Sequence, residues 1–192
     1  MQLSVEVIKA MWIVFRQSDG GDILAPPYDP HRPTGTILVV NSSNGKILAQ
    51  AKVPDGKETY MSLVTSKISK EDKDLTIIFG TGGETIGGNL FRTTLNDVMR
   101  QDISGATILY SSKNKGFIAP PVLCDLNLDG YLDIVDNAVE GKTIAIDGKT
   151  NKILWENGMK NTEVYGSSVW AILTMIAFLI YLPRIHKVYG QN

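Results

Sequence analysis

An all-β fold of repeated four-stranded antiparallel units is the architecture the sequence predicts, and three observations predict it. Short apolar runs rich in Val, Ile and Leu alternate with turn formers along most of the 192 residues. The stretch Thr36-Ile-Leu-Val-Val-Asn-Ser-Ser-Asn-Gly-Lys-Ile-Leu-Ala-Gln50 aligns without a gap on Lys142-Thr-Ile-Ala-Ile-Asp-Gly-Lys-Thr-Asn-Lys-Ile-Leu-Trp-Glu156. A third copy, Asn89 to Leu95 followed by Ala106 to Ser111, lies between them. The copies are spaced by roughly fifty residues, the length of one four-stranded repeat.

The elements follow in order. Each copy is a β-branched strand, a polar turn and a Lys-Ile-Leu or Thr-Ile-Leu return strand, which is hairpin chemistry. In the middle copy the turn is replaced by an insertion, Asn96 to Ser104, expected to carry a short helix. Tyr60 to Val64 and Leu75 to Gly80 supply two more strands ahead of the middle hairpin. Ala119 to Leu126 and Leu132 to Asn137 do the same ahead of the last. At the front, Trp12 to Phe15 with Gly20-Gly21-Asp22 echoes Ile77 to Phe79 with Gly82-Gly83-Glu84. The expected boundaries are a half unit at about 10–50 and full units at about 58–112 and 117–157, making a domain over 1–166. Stacked units of this kind are the blades of a β-propeller, which needs at least four to close. Two and a half make a partial propeller, so the chain reads as a fragment.

Composition removes several function classes. Nineteen Lys and Arg stand against 20 Asp and Glu, interspersed, for a net charge of −1, so nucleic acid is not an expected partner. Cys124 is the single cysteine and excludes an internal disulfide or a paired-cysteine metal site. His31 and His186 are the only histidines, which leaves little material for zinc or His-based catalysis. The glycine-rich run Phe79 to Asn89 lacks the Gly-Lys-Ser/Thr ending of a phosphate loop and reads as an inter-strand loop. Pro26-Pro27-Tyr28-Asp29-Pro30 and Arg32-Pro33 read as a stiff connector. Met1 to Phe15 does not form a signal peptide: one Lys, Lys9, sits mid-stretch and no cleavage site follows. The chain is then cytoplasmic or its true start lies upstream.

The sharpest motif is Asp125-x-Asn127-x-Asp129-Gly130-x-x-Asp133. Side-chain oxygens at positions 1, 3, 5 and 9, with the Tyr131 carbonyl at position 7, are the oxygen set a hard cation takes, and Gly130 permits the sharp turn. The bland reading is a polar turn, since Asp, Asn and Gly favour turns anyway. An EF-hand would place Asp136 at position 12 between helices, but Pro120-Pro121 and alternating β-branched residues give a strand context. The sequence therefore predicts one Ca2+ site, with Asp125, Asn127, Asp129, Tyr131 and Asp133 as ligands. In the preceding unit the matching stretch, Thr65 to Asp74, lacks the donor spacing.

At this point two resemblances apply. Thr143 to Glu156 resembles the blade repeat of quinoprotein-type (PQQ-like) propellers, and Pro121 to Asn137 resembles an FG-GAP repeat, the calcium-loop blade. The likeness spans roughly residues 12–166. It implies an extracytoplasmic (secreted, periplasmic or cell-surface) binding scaffold that meets a protein or carbohydrate ligand through its loops. It also raises a catalytic alternative: a piece of a propeller enzyme, quinoprotein-like or hydrolase, whose active site lies outside this chain.

The tail, 167–192, breaks the pattern. Val169 to Leu182 is apolar apart from Thr174, the uncharged run extends back to Tyr165, and Arg184, His186 and Lys187 follow. A helix-like membrane span over 165–182, anchoring an ectodomain, is one reading. Another starts from the codons. Read two bases out of frame from Trp170, permitted codon choices give Gly-Asn-Phe-Asn-Asn-Asp-Ser-Ile-Pro-Asp-Leu-Phe, again a calcium-type blade unit. The apolar tail is then the product of a frameshift.

Overall fold

The structure, a computed structural model, describes residues 11–17, 34–173, 176–180 and 186–187. The proline-rich stretch 26–33 and the Gly-Gly-Asp at 20–22 lie outside the described residues. The chain is all-β, with antiparallel sheets and one short helix among the described residues. The first sheet has β1 (Met11–Gln17), β2 (Gly35–Asn41) and β3 (Ile47–Lys52) in chain order. Where the sequence led to half a unit, three strands pair. The second sheet has β4 (Val64–Ser66), β5 (Thr76–Gly80), β6 (Gly88–Thr94) and β7 (Thr107–Ser112). The third has β8 (Val122–Cys124), β9 (Asp133–Ala138), β10 (Lys142–Ile146) and β11 (Ile153–Gly158).

The hairpins β2–β3, β6–β7 and β10–β11 share one irregularity. Val39 pairs Ala49 but Val40 pairs Ile47, Leu90 pairs Tyr110 but Phe91 pairs Ile108, and Ala145 pairs Trp155 but Ile146 pairs Ile153. Each return strand thus bulges at a leucine: Leu48, Leu109 and Leu154. The first and third turns also match. Asn41 and Asp147 each accept from the residue four on and donate to the carbonyl five on, all at 2.8 Å. Their side chains cap the turn, Asn41 Oδ1 accepting from Ser43 N and Asp147 Oδ1 from Lys149 N. A short Asn or Asp side chain does this because its oxygen reaches a backbone amide two residues ahead.

Burial falls from the middle of the second and third sheets outward. Every residue of β5 and β9 is buried, whereas every residue of β11 is exposed. One core runs through the three sheets, with Ile37, Val39, Ile77, Phe79, Phe91, Ile134 and Ile144 at its centre. Phe79 and Phe91 stack with centroids 5.1 Å apart. Full burial of such a side chain contributes about 1.5–3 kcal/mol.

The insertion carries α1 (Leu95–Met99), which packs its buried Val98 toward β2 and β3 of the first sheet. Thr94 and Asp97 form a capping box that satisfies two otherwise orphaned amides. At the C-terminal end β12 (Thr162–Glu163) pairs β15 (His186–Lys187), and β13 (Val169–Leu173) pairs β14 (Ile176–Ile180). The run expected to be helix-like is therefore extended over its described residues. Val169, Ile172, Ile176 and Ile180 are β-branched, which disfavours helix, and ladder pairing satisfies the backbone instead. No helix among the described residues is long and apolar enough to cross a membrane.

Candidate metal centre

The loop between β8 and β9 holds Asp125, Asn127, Asp129 and Tyr131 of the expected cation set, and Asp133 opens β9. Asp125, half-buried, accepts from Asp129 N on Oδ1 (3.0 Å) and from Gly130 N on Oδ2 (2.9 Å). Asn127 Oδ1 also accepts from Asp129 N (3.1 Å), and Asp129 Oδ1 accepts from Tyr131 N (3.0 Å). The chain turns through two left-handed residues, Leu128 (φ 60) and Gly130 (φ 87). Leu128 is 83 % exposed, so its conformation serves the loop and not the core.

Asp133 differs from the others. It is fully buried at the start of β9, with Oδ2 accepting from Leu126 N (2.8 Å) and Oδ1 from Gly148 N (3.0 Å). It braces its own loop against the β10–β11 turn. That turn comes so close that a Cβ on Gly148 would stand 1.9 Å from the Leu132 carbonyl oxygen. Lys149 Nζ lies 4.8 Å from the centre of the Tyr131 ring, a cation–π contact. Backbone hydrogen bonds, Thr150 N first, hold the Asp147 carboxyl below its ordinary range beside Asn127.

Two contacts tie this region to the second sheet. Leu132 N donates to Ile68 O (2.8 Å), and Arg92 Nη1 on β6 donates to Gly148 O and Asn151 Oδ1, each at 2.8 Å. No local motif points to Arg92; only its place on an alternating strand marks it as reaching off the sheet.

The donor chemistry suits calcium. Each carboxylate oxygen that accepts one amide keeps a second lone pair for a cation. Among the described residues Asp125, Asp129 and Asp133 form no ion pair. The convergence is not complete: among the described residues no three His, Cys, Asp or Glu side chains are gathered closely enough to share one ion. The loop strings the donors along its length, and the exposed members, Asn127 and Asp129, are the ones that would move inward.

Asp136, three residues beyond Asp133, was not among the expected functional residues. It is 1 % exposed; Oδ1 accepts from Asn137 N (2.7 Å), and Oδ2 has no partner among the described residues. Burial pushes its carboxyl well above the usual range. The signal was legible in the alternation, since Ile134, Asp136 and Ala138 share the inward face of β9. Away from the loop, a cavity of about 400 Å³ of mixed polar and apolar lining opens between the first sheet and the insertion, bordered by Thr36, Gln50, Lys52, Pro54, Gln101 and Ile103. No protein-family model matches the chain, and no curated protein matches it.

Proposed function

We propose that the chain is a non-catalytic scaffold, a partial β-propeller of the quinoprotein-type and FG-GAP-like kind that carries one calcium site. It works outside the cytoplasm, where its loops meet a protein or carbohydrate ligand. The observation that carries this reading is the leucine bulge, present at matching positions of three hairpins. Repeats of that regularity are how stacked-sheet scaffolds are assembled. Asp125, Asn127, Asp129, Asp133 and the Tyr131 carbonyl would hold the cation, which when bound supplies positive charge to a loop rich in carboxylates. Binding to the folded chain alone would raise its stability by mass action.

Calcium titration of the full chain by calorimetry, with Asp129→Ala in parallel, tests the metal part. Asp129 is exposed, so the variant keeps the fold. Saturable binding by the parent and a loss of at least tenfold in affinity in the variant are expected. No binding by the folded parent reduces residues 125–133 to a polar turn.

A further inference from the structure

The segments that leave one sheet and enter the next are tied down at corresponding places, and successive pairs of them share a backbone bond. After the first sheet, Glu58 O accepts from Gly82 N (2.9 Å), and the Thr59 hydroxyl donates to Gly80 O (2.5 Å) at the end of β5. After the second sheet, Phe117 N donates to Thr81 O (3.1 Å), one residue beyond β5, and Gly116 O accepts from Val139 N (3.0 Å). After the third sheet, Val164 N donates to Val139 O (3.1 Å), one residue beyond β9. Phe117 and Val164 therefore hold the same place against successive sheets, and both are buried. The strand that follows comes at the same distance each time. Val64 opens β4 five residues after Thr59, Val122 opens β8 five after Phe117, and Val169 opens β13 five after Val164.

The third connector is fastened to one particular face. Asn137 Nδ2 donates to Gly166 O (3.0 Å) and to Ser168 Oγ (3.3 Å), while Thr143 Oγ1 donates to Asn137 Oδ1 (2.8 Å). Asn137 points to the opposite side of β9 from Ile134 and Asp136, the side that carries Cys124, Val135 and Ala145 as a second buried apolar cluster. β13 lies against β8 at the edge of that face.

We infer that Val169 opens the inner strand of a further antiparallel sheet, and that the face of the third sheet bearing Cys124, Val135 and Ala145 is the surface on which that sheet docks. The apolar segment is then a docking element and not a membrane anchor. The inference rests on the repeated-sheet part of the proposed function and is independent of the cation.

The single cysteine is the probe. Ser168 is 4 % exposed within the clasp, and Ser168→Arg in the full chain pries the connector off the face. Iodoacetamide should alkylate Cys124 at least tenfold faster in this variant than in the parent, with the far-UV spectrum retained. An unchanged rate in a folded variant overturns the docking. Hydrogen exchange on the parent decides the matter if Ser168→Arg loses its fold. Amides of 170–173 and 177–179 should exchange together with those of 134–137, and exchange at unprotected rates overturns the inference. Failure of calcium binding with these results intact removes the metal reading alone.

Discussion

The β4–β5 and β8–β9 loops occupy the same place in successive sheets and satisfy their backbones differently. In the first, Asp72 Oδ2 accepts from Ile68 N (2.9 Å) and Ser69 N (3.0 Å), and Asp74 accepts from Leu75 N and Asn96 N. Every acid used there is an internal brace, and Asp72 also lends its charge to the half-buried Arg92. In the second loop Asp133 is the buried acid that ties loop to turn, while Asp125 and Asp129 shape a curve that a turn could make with fewer charges. The proposed calcium site would account for the additional carboxylates.

That contrast can be broken in order of size. Asp133→Ala removes the shared acceptor of Leu126 N and Gly148 N at a fully buried position. It should cost about 2–6 kcal/mol, roughly 1–3 for each amide left unpaired, read from urea unfolding. A loss below 1 kcal/mol would mean the brace is dispensable. Asp72→Ala, whose amides are half-buried, should cost about 1–2 kcal/mol and leave calcium titration unchanged. If calcium affinity also fell, the two loops would share the site.

A third test sharpens the difference along β9. Burial raises the folded pKa of Asp136 above its unfolded value, so its stabilising share is present below the unfolded pKa. Above pH 4 the unfolded chain releases this proton and the folded chain keeps it, so stability drains away as pH climbs toward the folded value. Asp136→Asn should therefore gain on the parent between pH 4 and pH 7 in paired urea titrations. A constant difference between the two proteins across that range would show that Asp136 does not titrate differently on folding.

Much of this architecture was legible in the residues. The gapless match of the first and third hairpins fell on the same turns and bulges because Asn41, Asp147 and the Lys-Ile-Leu return are local signals that need no distant partner. The Asp125–Asp133 spacing likewise placed the acids in one loop. What the sequence hid depends on distance. Asp133 read as a ligand, yet its nearest donors include Gly148, which only folding brings beside it. Arg92 reaches a turn more than fifty residues away, and nothing local announces that. The backbone of the tail was not legible because hydropathy alone does not distinguish an apolar helix from an apolar strand; pairing does.

The leucine bulges carry a consequence for how molecules of this chain meet one another. β11 is an open edge displaying Ile153, Leu154 and Trp155, a template onto which a second chain could add its own strand. Leu154 interrupts the ladder within that apolar stretch, twisting the strand and spoiling the regular spacing of its free amides and carbonyls. The irregularity that marks each hairpin thus also guards against aggregation, at the position where apolar side chains make sticking most tempting.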